Sequence, residues 1–104
     1  MTLDELTSWV LQLEGTREIV KKTEIDFMRG DVHLARLRLR PGTIAIRLPF
    51  ERCEEILQAH SELFFVSDHY IGWPYVVVKI DDMSAELGKQ LLTDSWQFAG
   101  DPNV

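Results

Sequence analysis

Cysteine is almost missing from this chain of 104 residues: Cys53 stands alone, so no intramolecular disulfide can form and most of a thiolate metal site is absent. A reducing, cytoplasmic setting is the expectation. Long apolar runs are missing as well. The longest, Leu63 to Val66 and Tyr75 to Val78, hold four residues each, where a bilayer-spanning helix needs about 20, and no membrane partner is expected. The opening Met1-Thr2-Leu3-Asp4-Glu5 is acidic where a secretory signal would be basic and then apolar. There is no glycine-rich phosphate loop, internal repeat, low-complexity stretch or linker. His33, His60 and His69 fall on separate elements without metal-ligand spacing, so neither a metal nor a cofactor is expected. Positive charge is the minority, with 11 basic against 17 acidic residues and a net charge of −6, which argues against a protein that coats nucleic acid without selectivity.

What is present is enough to fold. Hydrophobic residues make up 45% and charged residues 27%, a balance that suits a single compact domain over residues 1–104 and argues against disorder or a coiled coil. The charge is uneven. Residues 17–52 carry a balance of +4 and the remainder −10, so one part of the surface is expected to be locally positive if the fold gathers its arginines.

Thr2-Leu3-Asp4-Glu5 has capping-box spacing, and Leu3, Leu6, Val10 and Leu13 recur at helical intervals before Gly15, which predicts a first helix over 3–14. Residues 16–23 have no clear period. Ile25 and Phe27 then alternate with acids as a short strand up to a turn at Arg29-Gly30-Asp31. Residues 33–40 and 43–48 alternate in opposite parity. Setting Leu39 opposite Ile44 around a four-residue loop, Arg40 to Thr43, puts Ala35, Leu37, Ile44 and Ile46 on one side. Arg36, Arg38 and Arg47, with Arg40 at the end, then occupy the other. Pro49 opens a helix over about 50–60, on whose apolar stripe Cys53 reads as a small buried hydrophobe. Strands are expected at 63–67 and 74–80 around a structured loop, then a helix from the Ser84 cap to about Phe98, then a tail from Asp101. The order is α-β(3)-α-β(2)-α, an α+β fold with a mostly antiparallel five-stranded sheet packed against helices.

Two groups of side chains stand out as candidate sites. Phosphate recognition wants several planar cationic forks on one surface, which Arg36, Arg38, Arg40 and Arg47 would supply, although a solvated antiparallel face carries charge in any case. The loop 68–75 concentrates His69, Tyr70, Trp73 and Tyr75, able to hold a base, a peptide or a small ligand by stacking, or simply to fill core beneath the loop. Asp68 beside His69 has no nucleophile placed by spacing, so no catalytic triad is expected.

The stretch Glu62 to Ile80, with its phenylalanine-valine strand, its His69-Tyr70-Ile71-Gly72-Trp73-Pro74 loop and its valine-rich strand, resembles the MmcQ/YjbR-like family, and Leu91-Leu92-Thr93-Asp94-Ser95-Trp96 is similar to that family's final helix. In place of a Ser-His-Gly-x-Pro run common among relatives, this chain has Lys21-Lys22-Thr23-Glu24. The resemblance implies the α-β(3)-α-β(2)-α order, an architecture similar to type III secretion chaperones, and a description as DNA-binding. No catalytic set comes with it. The expectation is therefore a small binding module, not an enzyme, monomeric or homodimeric, contacting DNA through the arginine face or a protein or small ligand through the aromatic loop.

Overall fold

In the computed structural model, which describes residues 1–101, Thr2 caps the first helix as its spacing predicts. Its hydroxyl accepts from the Glu5 amide at 3.1 Å while the Glu5 carboxylate accepts from the Thr2 amide at 3.0 Å. This helix, α1, runs Leu3–Gln12 and buries Leu6 and Val10. It stops two residues short of expectation because the Thr16 hydroxyl donates to the Val10 and Leu13 carbonyls, both at 2.7 Å, and Gly15 takes φ +76°.

Four strands follow: β1 Thr16–Val20, β2 Glu24–Arg29, β3 Val32–Arg38 and β4 Thr43–Arg47. Then come α2 Phe50–Ala59, β5 Tyr75–Lys79 and α3 Ala85–Ala99, the last capped by Ser84. The fold is α+β, and its five strands form one antiparallel sheet in the order β1-β2-β3-β4-β5. The strands divide four before α2 and one after it, where three and two were expected. Residues 16–20 form an edge strand paired with β2 from Thr16↔Arg29 to Val20↔Ile25. Residues 63–67 pair with β5 only at Phe65↔Val77, because the Leu63 and Phe64 amides turn back to the His60 carbonyl and Ser67 leads into a 3-10 turn at Asp68–Tyr70. The expected tail at 102–104 lies outside the described residues.

The hairpin of β3 and β4 is shifted by two residues from expectation. Leu37 faces Ile44 and Ala35 faces Ile46, since β3 ends at Arg38, whose carbonyl accepts from the Gly42 amide at 3.1 Å, with Gly42 at φ +85°. A shift of two preserves parity. Ala35, Leu37, Ile44 and Ile46 therefore all lie within the core. That core fills the helical side of the sheet, where Leu6 and Val10 of α1, Cys53 and Ile56 of α2, and Leu91 and Leu92 of α3 cover Phe27, Val76 and Val78.

Candidate functional site

The three α-helices contribute to the core on one side of the sheet, and the residues of the opposite face follow from the period of two with one interruption. Phe27 pairs with Ala35 but Met28 pairs with His33, so Leu34 is an extra residue on β3, a β-bulge. Leu34 and Ala35 are both buried in consequence. A regular strand would send His33 into the core with Ala35 and Leu37. The bulge returns it to the open face, beside Asp26 of β2 and Arg36 of β3.

Asp26 is the hub of that face. It is 4% exposed, and its carboxylate accepts from Arg36 Nε at 2.7 Å and Nη2 at 3.3 Å, pairs with Lys21 Nζ at 2.7 Å, and meets His33 Nε2 at 2.9 Å. Burial alone would push its acidity toward the neutral acid. Hydrogen bonds from Arg36, Lys21 and His33 outweigh that and hold the carboxyl well below the usual aspartate range. The same bond to Asp26 pushes the Arg36 guanidinium up. On its far side the His33 ring meets the Tyr75 hydroxyl through Nδ1 at 2.8 Å, which links three strands as Asp26–His33–Tyr75.

The four arginines are not gathered into one positive patch. Arg36 is committed to Asp26 and, at 3.1 Å, to Glu24. Arg47 stacks its guanidinium 4.4 Å from the Phe98 ring centre, with Nη1 buried and unpartnered. Arg38 and Arg40 are exposed. Arg38 and the paired Arg36 both line a groove of about 190 Å³ whose walls include Phe65, Tyr70, Ala45 and Val77, whereas Arg40 lies beyond it with Lys22, Thr23 and Leu39.

The four aromatic residues of the loop do come together. His69, Tyr70, Trp73 and Tyr75 line an open concavity of about 180 Å³ by themselves. The His69 ring meets Tyr70 edge-on, with centroids 5.0 Å apart and planes at 86°, and Tyr70 lies 4.7 Å from Tyr75 at 34°. Trp73 is 65% exposed. Backbone bonds hold the loop in place: the Tyr70 amide donates to Ser67, Trp73 to Tyr70 and Tyr75 to Trp73, at 2.8–2.9 Å. Gly72 takes φ +83°, a conformation that side-chain-bearing residues adopt at a cost. Burial pushes the Tyr70 and Tyr75 phenols up. Tyr70 thus stands between the Arg38 groove and the aromatic concavity.

Lys21, Asp26 and His33 were not among the residues picked out from sequence. The signal that marks His33 is the adjacent apolar pair Leu34-Ala35, which breaks the alternation of β3 at the bulge. Cys53 is 6% exposed with its sulfur toward the Leu48 carbonyl at 3.5 Å, and burial pushes its thiol up. Among the described residues no three His, Cys, Asp or Glu side chains are grouped to hold a metal ion, and no helix is long and apolar enough to cross a membrane.

No family model matches the chain, and no curated protein matches it. Among solved structures, the fold is similar to the crystal structure of a Deinococcus radiodurans protein with a DUF419 domain. The TM-score is 0.83 and the identity 24%, over 99% of this chain and 81% of that one. At that identity the likeness establishes a shared α+β fold and carries no site residue across.

Proposed function

We propose that this chain is a non-catalytic binding module whose ligand site is the open sheet face on either side of Tyr70. The observation that carries the reading is the convergence of His69, Tyr70, Trp73 and Tyr75 around one concavity, while Arg36 is paired with Asp26 and Arg40 and Arg47 lie elsewhere. Ligand sites combine apolar or aromatic walls with a few placed polar groups, and here Arg38 and the Tyr75 hydroxyl are those groups. The concavities, about 180 and 190 Å³, are smaller than the roughly 300–1,000 Å³ of drug-sized sites. A small molecule, or one group of a larger one, is the occupant they suit. The Cys53 thiol and Tyr75 phenol are both pushed toward their protonated forms by burial, which is the reverse of nucleophile activation.

Duplex DNA is the second reading, resting on Arg38 and Arg40, which make no ion pair among the described residues. Amide NMR of the intact chain against a panel of small polar and aromatic fragments separates the two. Binding should move Tyr70, Trp73 and Val77 together, and Tyr70→Ala should remove the effect. Hits scattered over other surfaces would refute the reading. A titration with duplex DNA that falls steeply with salt and is abolished by Arg38→Glu would replace it with the second.

A further inference from the structure

We propose that the concavity walled by His69, Tyr70, Trp73 and Tyr75 is a cage for a methylated ammonium group, so that the ligand class of this module is the quaternary alkylammonium. The inference rests on the binding reading above and narrows it to one chemistry. Aromatic faces carry negative quadrupole charge and attract a cation placed over them, most strongly when the cation is weakly hydrated and methylated. Four rings of this chain, and no acidic or basic side chain other than the imidazole, make up the whole lining. Their faces are differently inclined: His69 stands perpendicular to Tyr70, and Tyr70 is tilted 34° against Tyr75. The loop bonds hold the backbone that carries these rings before any ligand arrives.

The Tyr75 ring is itself anchored to the sheet, its hydroxyl 2.8 Å from His33 Nδ1, while His33 Nε2 lies 2.9 Å from the Asp26 carboxylate. Of the neighbouring cations, Arg36 is engaged with Asp26 and Glu24 and Arg47 with the Phe98 ring, while Arg38 stands in the adjoining groove on the other side of Tyr70. The molecule as a whole carries −6, which favours the approach of a cation.

Choline and its uncharged isostere 3,3-dimethylbutan-1-ol differ by one charge at nearly constant shape. In titrations of the intact protein followed by the Trp73 indole N–H and the amides of residues 69–75, choline should bind about tenfold more tightly than the isostere. Trp73→Phe should retain part of the affinity and Trp73→Leu should lose it. Trp73 is largely exposed, so an unchanged thermal midpoint is expected for both variants. A short peptide bearing trimethyllysine is a further arm: tighter binding than choline assigns the group to a peptide, and equal binding to a free small molecule. Equal binding of choline and the isostere, or choline shifts away from residues 69–75, overturns the cage. If choline fails while other fragments still move Tyr70 and Val77, the cage falls and the binding reading stands. If nothing binds this face, both fall.

Discussion

Replacing Asp26 by alanine removes the acceptor shared by Arg36, Lys21 and His33 and leaves two permanent cations facing a buried gap. Truncating one partner of a buried pair typically costs about 3–5 kcal/mol. Here the cations retain some water, with side-chain exposures of 27% for Arg36 and 46% for Lys21, so the expected cost is lower, about 2–3 kcal/mol. For a domain of this size that lowers the thermal midpoint by roughly 10–20 °C. Asp26→Asn keeps the shape but turns an amide N–H toward donors, and about 1–2 kcal/mol is expected. The double change Asp26→Leu with Arg36→Met should recover much of the loss, because an apolar pair leaves no unpaired charge behind.

The pH dependence has a definite sign. The folded-state acidity of Asp26 is depressed relative to the unfolded chain. Its contribution is therefore complete above the ordinary aspartate value of about 3.9 and is lost as the pH falls below that toward the folded value. The stability gap between the parent and Asp26→Asn should be full near neutrality and narrow as the pH drops below the ordinary aspartate value. Urea titrations monitored by tryptophan fluorescence, over the pH range in which both proteins stay folded, measure it. A loss under about 0.5 kcal/mol for Asp26→Ala, or a gap that does not change with pH, would refute the assignment of Asp26 as the electrostatic hub.

Ile46→Ala, at a position fully buried in the core, should cost about 2–5 kcal/mol in the same urea assay. Arg47→Met should change stability by less than about 1 kcal/mol, since the loss of stacking on Phe98 is offset by relief of the unpartnered Nη1. Gly72→Ala, at φ +83°, should cost about 1 kcal/mol and weaken ligand binding by loosening the orientation of Trp73, as read by thermal melting and by titration. Arg38→Glu should leave the thermal midpoint unchanged because the side chain is exposed and makes no ion pair among the described residues.

The fold was legible wherever one face of an element is wet and the other dry. The capping box, the stripes of α1 and α3, and the alternation of β3 and β4 all state which side is buried, and a register error of two residues leaves that statement intact. β1 escaped because its burial varies little along the strand: Arg17, Glu18 and Val20 are all exposed on an edge, so no period marks it. Residues 63–67 misled in the opposite sense. Leu63-Phe64-Phe65-Val66 has strand composition, yet Phe64 is drawn into the core and only Phe65 reaches β5. Propensity reports how well a side chain fits a pleated surface, and here the backbone turns before a ladder can form.

The site divides along the same line. His69, Tyr70, Trp73 and Tyr75 were visible as a set because they are neighbours in sequence, closed into one loop by local backbone bonds. The arginines were visible as a face but not as partners, because what holds Arg36 lies on β2, and alternation within one strand is silent about register against the next. The bulge at Leu34 matters most. By turning His33 outward it supplies a hydrogen-bond partner for the Tyr75 hydroxyl at 2.8 Å, two strands away and past Arg47, whose guanidinium lies instead on Phe98. The irregularity that defeats the pattern is thus the one that assembles the open face, in keeping with the tendency of functional sites to sit where local rules are broken.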